Sequence, residues 1–178
     1  SRGLGDVYKR QILDRQLDAT ALHKVRVINA NGDLSRFESY GLPVIPDSLP
    51  DWPGPLAGIL SCLDWLAQSH CECDLLLSCA TDAPFISSDL AFRLLQARTA
   101  ENATLAQARS YGRRHPVFGL WPVSIRQDLR TALIQDGLRK IDDFTDRFSL
   151  AIADFSGHPD PFSNVNQPDD IAAAEAYF

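Results

Sequence analysis

Apolar residues recur along this chain in two patterns: short runs of strand length, and longer stretches in which they return every three or four positions. The most apolar short run holds the consecutive leucines Leu75, Leu76 and Leu77. Because successive side chains of a strand point to opposite faces, this run predicts a strand buried on both faces, as in a parallel sheet. Asp82 and Pro84 follow it, and a proline cannot continue a central strand.

The same two patterns assign the rest of the chain. We predict further strands at residues 25–28, 42–45, 104–108, 116–120 and 150–153, and helices at 12–22, 34–40, 55–66, 87–98, 124–134, 138–148 and 164–178. Strands and helices alternate through the first half, which indicates an α/β fold with a mostly parallel sheet. The strands at 104–108 and 116–120 are joined by a short loop, which predicts a hairpin and therefore a mixed edge.

Composition narrows the class of protein. A length of 178 residues suits one domain with a sizeable core, and 45% hydrophobic with 22% charged residues is ordinary for a globular protein. The net charge of −6, with no Lys/Arg-rich run, argues against a nucleic-acid partner. No apolar stretch approaches the roughly 18 residues that span a bilayer, and no signal-peptide pattern opens the chain. We therefore expect a cytoplasmic protein with no membrane partner.

The start of the chain differs from the rest. The sequence begins at Ser1 and contains no methionine, and residues 1–11 show neither strand alternation nor a helical stripe. We therefore expect residues 1–11 to be a non-native or disordered leader, and residues 12–178 to form a single domain.

The cysteines are close together in the sequence, at Cys62, Cys71, Cys73 and Cys79. Zinc sites use paired Cys-x-x-Cys ligands, and that spacing is absent here. We expect reduced cysteines that serve in packing.

Polar side chains follow three of the predicted strands: Asn29, Asp47 and Asp82. In open α/β sheets, ligands bind beyond the carboxyl ends of the strands, so an aspartate at this place is well positioned to hold a metal ion on a phosphate. An aspartate here is also typical of a turn that caps the next helix. The strand and its aspartate leave both interpretations open.

Two helix starts are further candidates. Gly54 and Pro55 open the helix at 55–66, where free N–H groups attract anions and a glycine allows close approach; a tight loop-to-helix junction explains the same residues. Arg139 and Lys140 are predicted in the first turn of the helix at 138–148, where cations oppose the helix dipole. That unfavourable placement indicates a ligand-facing role.

Six short motifs in this chain occur in the order and approximate spacing of the molybdenum cofactor guanylyltransferases, which the sequence therefore resembles from about Ile12 to its end. They are Asn29-Ala30-Asn31, Pro46-Asp47-Ser48, Gly54-Pro55-Leu56-Ala57-Gly58, Asp82-Ala83-Pro84-Phe85, His115-Pro116-Val117-Phe118-Gly119-Leu120-Trp121 and Phe162-Ser163-Asn164-Val165-Asn166-Gln167-Pro168. The resemblance implies a Rossmann-like three-layer sandwich with a mostly parallel sheet and a mixed edge.

The resemblance also implies a reaction: transfer of GMP from GTP to the terminal phosphate of molybdenum-carrying molybdopterin, releasing pyrophosphate. It implies Mg²⁺ as cofactor, GTP and molybdopterin as substrates, and molybdoenzymes or their chaperones as docking partners. The attacking phosphate oxygen is already ionised, so alignment and charge neutralisation matter more than a general base. By the same resemblance, the metal ligand is Asp82, the nucleotide-binding residues are Asn29, Asp47, Gly54, Pro55 and Asp82, and the catalytic residues are Asp82, Arg139, Lys140, Asn164 and Asn166.

One part of the family pattern has no counterpart here. The family begins with a strand and a Gly-rich loop, followed by an arginine and a lysine, that cradle the triphosphate, and Gly3, Gly5 and Lys9 do not match that pattern. We therefore expect an N-terminally truncated homologue that binds GTP weakly and turns over poorly, since the backbone N–H cradle and the lysine are main anchors of a triphosphate.

Two other functions compete with guanylyl transfer. The first is a related molybdopterin cytidylyltransferase or another small nucleotidyltransferase; such relatives tend to carry aspartates where this chain has Asn164 and Asn166. The neutral amides favour guanylyl transfer over that alternative. The second is a non-catalytic nucleotide-binding adaptor that delivers the cofactor to partner proteins, for which replacement of Asp82 would leave GTP binding unchanged.

Overall fold

The computed structural model describes residues 2–21, 23–49, 54–70 and 72–165, with side chains from residue 11 onward. Helices and strands alternate as predicted through the first half, and the hairpin follows. The helices are α1 Arg2–Ala19, α2 Pro55–Ser69, α3 Leu90–Ala100, α4 Arg126–Ile134 and α5 Ile141–Thr145, with 3-10 helices at Leu34–Tyr40 and Val123–Ile125. The strands are β1 Ile28–Asn29, β2 Val44–Ile45, β3 Leu75–Ser78, β4 Leu105–Ser110, β5 Arg113–Pro122 and β6 Leu150–Phe155.

The described strands form two sheets. β1 and β2 pair in parallel, and a four-stranded sheet has the order β3-β5-β4-β6. In the latter, β5 runs antiparallel to β3 and β4, while β4 and β6 are parallel. The predicted α/β class and the β4–β5 hairpin are confirmed. The mixed pairing lies inside this sheet and not at its edge, because β5 returns from the hairpin to a place between β4 and β3.

Apolar side chains cover both faces of the four-stranded sheet. Leu105 and Trp121 belong to one buried cluster, with residues of α2, α4 and α5, whereas their neighbours Ala106 and Leu120 belong to a second cluster with α3. This alternation follows from the two-residue period of a strand. In β3, Leu76 lies in the first cluster while the flanking leucines pack against the second, so the prediction of a strand buried on both faces is confirmed. The domain therefore has helix, sheet and helix layers.

Helix α2 begins as its sequence predicts. Pro55 occupies the first turn, where a missing N–H costs nothing, and Gly54 before it has φ 128°, in the left-handed half of the backbone map that glycine favours. Leu56, Leu60 and Leu63 are at most 1% exposed and form the buried stripe of the helix. The stripe fixes which face of α2 meets the sheets.

Two predicted helices differ from the structure at their ends. Helix α1 begins at Arg2, so the predicted start at Ile12 is too late and residues 2–11 are helical. The signal for helix lies in the buried residues Ile12, Leu13 and Gln16, and a nucleated helix extends at low cost into residues without a stripe of their own. The helix predicted at 164–178 lies outside the described residues beyond 165.

The three cysteines in the described part of the chain are free. Burial raises the pKa of the Cys62 and Cys79 thiols to about 12, so both remain protonated at neutral pH. No group of three His, Cys, Asp or Glu side chains capable of holding a metal is found among the residues that the structure describes. Within the same ranges, no helix combines the length and apolar character needed to cross a bilayer.

Candidate functional site

Asn29 and Asp47 lie side by side, because β1 and β2 are parallel, Asn29 is the last residue of β1, and Asp47 lies two residues beyond the end of β2. The Asn29 Nδ2 donates to Asp47 Oδ1 and to the Ile45 carbonyl, each at 2.9 Å. Asn31 donates from Nδ2 to Asp47 Oδ2 at 2.8 Å, and its Oδ1 accepts from the Asp47 backbone N–H at 2.8 Å. Both carboxylate oxygens of Asp47 are therefore held by amides.

The start of α2 packs against this pair. A side-chain carbon added at Gly58 would lie 2.1 Å from Asn29 Oδ1, so the asparagine occupies space that only a glycine leaves open. Ser61, one turn further on, accepts from the Ser48 backbone N–H at 2.7 Å and donates to the Ala57 carbonyl at 2.9 Å. Gly58 and Ser61 thus fix the loop after β2 against the first two turns of α2.

Asp82 lies in the turn after β3, and the backbone of that turn is held from two sides. The Nε2 of Gln16, a buried residue of α1, donates to the Ala80 carbonyl and, at 2.9 Å, to the Ala83 carbonyl. The Val165 backbone N–H donates to the Asp82 carbonyl at 2.8 Å. Three carbonyls of the turn are therefore fixed, and α1 and the 156–165 segment are tied to it.

The Asp82 carboxylate is half-buried, and it has no hydrogen-bond or ion-pair partner among the residues that the structure describes. A half-buried carboxylate with free oxygens on a fixed backbone fits a Mg²⁺ ion, which takes one or two carboxylates and fills its other positions with water and phosphate oxygens. The alternative of a turn aspartate that caps the next helix is not seen, because α3 begins at Leu90 with Asp89 at its cap position.

Topology brings Asp82 to the end of the molecule where Asn29 and Asp47 lie. Helix α2 packs on β1, β2 and β3 and is followed directly by β3, so the amino end of α2 and the carboxyl end of β3 point the same way. Gly54 and Pro55 open α2 at that end, and both are exposed. The described nucleotide-binding candidates and the metal candidate are thus assembled at one edge.

Of the two predicted catalytic asparagines, the structure describes one. Asn164 is exposed and immediately precedes Val165, so it lies beside the Asp82 turn. Asn166 lies outside the described residues.

Arg139 and Lys140 are both exposed but are not in the first turn of a helix, so that prediction is wrong. Gly137 adopts φ 67° and Lys140 is extended, because the chain turns after α4 before α5 begins at Ile141. Lys140 lies at the cap position of the short helix α5, whereas Arg139 lies before it, so the predicted conflict with the helix dipole does not hold for Arg139.

Two of the three arginines in the β4–β5 hairpin are paired with carboxylates. Arg109 binds Asp154 through two bonds, at 2.5 and 2.6 Å, and Arg114 pairs with both Asp142 and Asp146 at 3.2 Å. This pairing favours a structural role for the two arginines over contact with an anionic substrate.

Sequence reasoning missed Gln16, Ser110 and Asp160, which join distant parts of the chain around this edge. Ser110 in β4 contacts both His115 and Asp160 at 2.8 Å. A polar residue within an apolar stripe, such as Gln16 four residues after Ile12, is a signal that a buried hydrogen bond is present.

A half-buried carboxylate beyond a strand end, at the edge where a Gly-Pro helix start also lies, occurs here on an α/β fold that solved nucleotidyltransferases share. The molybdopterin-guanine dinucleotide biosynthesis protein A of Archaeoglobus fulgidus superposes with a TM-score of 0.71 at 20% identity, covering 93% of this chain and 84% of that one. The 2-C-methyl-D-erythritol 4-phosphate cytidylyltransferase of Thermus thermophilus gives 0.62 at 17% identity, covering 93% and 88%. These similarities establish the fold of this class.

The sequence comparisons are more specific. The molybdenum cofactor guanylyltransferase of Rhodopseudomonas palustris (strain BisB5) is 46% identical over 180 aligned residues, which cover 97% of this chain and 86% of that protein. The MobA-like NTP transferase domain matches residues 1–148. The chain is thus a nucleotidyltransferase, and it belongs to the MobA-like NTP transferase family.

Proposed function

We propose that this protein transfers GMP from GTP to the terminal phosphate of molybdenum-carrying molybdopterin, forming the guanine dinucleotide cofactor and pyrophosphate. The observation that carries the proposal is the Asp82 turn, whose carboxylate is free while its backbone is fixed, at the edge where Asn29 and Asp47 also lie. The guanylyltransferase name of a relative at 46% identity supports the choice of substrates.

The bond changes define what the protein has to do. A terminal phosphate oxygen of molybdopterin forms a bond to the α-phosphorus of GTP, and the bond from that phosphorus to the bridging β-oxygen breaks as pyrophosphate leaves. The attacking oxygen is already ionised, so no side chain has to remove a proton. Alignment of two polyanions and neutralisation of the leaving charge remain, as in other phosphoryl transfers.

Within the proposal, Asp82 holds Mg²⁺, which would neutralise charge on the phosphates of GTP. Asn29 and Asp47 hold the nucleoside, and Gly54 and Pro55 line its approach. The amide cluster on Asp47 supports this role because it fixes the carboxylate in one orientation.

The second substrate is assigned to the remaining candidates. Asn164 and Asn166 lie next to each other in sequence around Val165, whose backbone binds the Asp82 turn. As neutral amides they donate hydrogen bonds to phosphate oxygens without adding a metal ligand. Arg139 and Lys140 are exposed cations suited to the phosphate of the pterin.

Replacement of Asp82 by asparagine tests the proposal. The variant Asp82→Asn keeps the shape of the side chain but removes the charge, so we expect turnover with GTP and molybdopterin to fall at least ~100-fold. Pyrophosphate release measures the rate. Asp128→Asn, an exposed aspartate on α4, serves as the matched control and should retain the wild-type rate. Equal rates for Asp82→Asn and the wild type would refute the role of Asp82.

A cytidylyltransferase is the second candidate, because the fold is shared with the cytidylyltransferase of Thermus thermophilus. The two are separated by comparing GTP with CTP in the same assay, where the proposal expects kcat/KM to favour GTP. GTP binding that is unchanged in Asp82→Asn would instead favour the adaptor that delivers the cofactor to molybdoenzymes or their chaperones.

A further inference from the structure

A chain of partly buried hydrogen bonds joins the β4–β5 hairpin to the segment 156–165. The Ser110 hydroxyl lies 2.8 Å from His115 Nε2 and 2.8 Å from Asp160 Oδ1, and the same carboxylate oxygen accepts from the Phe162 backbone N–H at 3.0 Å. An ionised carboxylate only accepts, so the serine proton points to Asp160 and the serine oxygen accepts from His115 Nε2–H. The direction of the chain is therefore His115 to Ser110 to Asp160.

This arrangement is not a nucleophilic triad. In a triad the histidine lies between the other two residues and takes the proton of the serine, whereas here Ser110 lies between His115 and Asp160. Ser110 is also only 1% exposed, so its hydroxyl cannot meet a substrate. The three residues are placed to hold structure.

Aromatic packing fixes the same segment. The Phe162 ring lies 4.8 Å from the His115 ring, 4.7 Å from Phe118 and 5.2 Å from Phe155, and Phe162 is 3% exposed. Tyr111, at the tip of the hairpin, donates from its hydroxyl to the Gly157 carbonyl at 2.5 Å. The hairpin thus contacts the segment near its start, at Gly157, and further along, at Phe162.

The held segment ends at the candidate active site. Three residues after Phe162, the Val165 N–H donates to the Asp82 carbonyl at 2.8 Å, and Asn164 lies between them in sequence. With so short a span, a shift at Asp160 passes to Asn164 and to the Asp82 turn. A misplacement of about 1 Å at a reacting group can cost about 100-fold in rate.

We propose that Ser110, His115 and Asp160 are positioning residues that fix the segment 160–165 against the Asp82 turn, so that Asn164 meets the second substrate. The role of Asn164 rests on the proposed function, whereas the mechanical link from Ser110 to Val165 does not.

Amide hydrogen exchange tests the link directly. In Ser110→Ala and Asp160→Ala we expect the Val165 amide to exchange at least ~10-fold faster, while the amides that pair β4 with β6 keep their protection, because only the local opening changes. Asp160→Asn keeps an acceptor oxygen for both donors and should restore most of the protection. Thr145→Val removes another fully buried hydroxyl, on α5, and is the matched control. Unchanged Val165 exchange in both alanine variants would overturn the proposal.

Steady-state kinetics tests the consequence for the reaction. We expect Ser110→Ala to lower kcat roughly 10- to 100-fold with little change in KM for GTP, since the nucleotide residues on β1 and β2 are not touched. An equal effect of Thr145→Val would show a general loss of stability and would count against the positioning role. If the wild type transfers no guanylyl group, the proposed function fails, while the exchange of Val165 still decides whether the three residues hold the segment.

Discussion

Asn29 has an orientation that depends on a residue in another element. Its side chain occupies the space above Gly58, where any side chain would collide with it, and its amide binds the Asp47 carboxylate at 2.9 Å. The glycine is within α2, where an alanine would be favoured by about 1 kcal/mol on helix propensity alone. Gly58 therefore gives up some helix stability and leaves room for the Asn29 side chain.

Gly58→Ala separates the two effects. The added methyl group displaces the Asn29 side chain, so we expect GTP affinity to fall about tenfold, which corresponds to the loss of about one good hydrogen bond. The unfolding free energy should change by less than about 1 kcal/mol, because the gain in helix propensity offsets the lost contacts. Calorimetric titration with GTP and thermal unfolding measure the two quantities.

Asn29→Ala is the matched comparison for that variant. If Gly58→Ala acts through Asn29, the double variant binds GTP no more weakly than either single variant, since both remove the same contact. Additive losses in the double variant, or unchanged GTP affinity in Gly58→Ala, would show that Asn29 does not act in nucleotide binding in this way.

His115 couples the hairpin to pH. Burial lowers the pKa of its imidazole below the ordinary value of 6.5, with Arg113 acting in the same direction and Asp160 opposing. The unfolded chain therefore binds a proton more readily than the folded one, so stability is fully present above pH 6.5 and is lost as pH falls through the lower, folded pKa. Because Nε2–H already donates to Ser110, the added proton goes to Nδ1, and the cost of the charge comes from burial of the ring and from Arg113.

Urea unfolding at a series of pH values between 7.5 and 5 measures this loss of stability. Wild-type protein should lose more unfolding free energy over this interval than His115→Gln, whose amide still donates to Ser110 but does not titrate. Identical pH profiles for the two proteins would contradict a depressed pKa at His115. A steeper loss in His115→Gln would contradict its sign.

At the scale of elements, sequence patterns predicted the strands, helix starts and turns that are determined by residues close together in the chain. The leucine run of β3, the Gly54-Pro55 start of α2 and the β4–β5 hairpin all follow from local composition and were found. Helix α5 was predicted too long, at residues 138–148, because the pattern of apolar residues continues through the stretch before Ile141, which the structure shows is not helical. That stretch is set by the turn at Gly137, where φ is 67°, and by the Leu138 N–H, which bonds back to Ala132.

The candidate site likewise contains residues that a local pattern predicts and contacts that it does not. Asn29, Asp47 and Asp82 were predictable because each lies at or just beyond the carboxyl end of its own strand, and parallel strands end at one edge of a sheet. Other contacts join residues that are far apart in the sequence. Gln16 and Ala83 in the Asp82 turn are 67 positions apart, and Ser110 and Asp160 are 50 positions apart. No local pattern encodes such pairs, so only the folded structure shows them.

At the scale of the whole molecule, the Asp82 turn depends on how β3 joins the sheet. Within the described residues β3 pairs only with β5, and the indole of Trp121 on β5 strengthens that pairing by donating to the Ser78 hydroxyl at 2.8 Å. Trp121 is 1% exposed, and a side-chain carbon added at Gly119 would lie 3.1 Å from its indole nitrogen. The tryptophan therefore fills a closed space at the junction of β3 and β5.

Trp121→Phe removes the indole donor and leaves part of that space empty. We expect a loss of about 2–3 kcal/mol in unfolding free energy, and a fall in Tm of roughly 5–10 °C for a domain of this size. Because the junction lies before the turn, GTP affinity measured well below Tm should fall by less than about threefold, unlike in Gly58→Ala. Thermal unfolding and GTP titration of Trp121→Phe, with exposed Phe92→Tyr on α3 as the neutral control, measure both. A large loss of GTP affinity at unchanged Tm would mean that Trp121 acts on the site itself and not through the sheet.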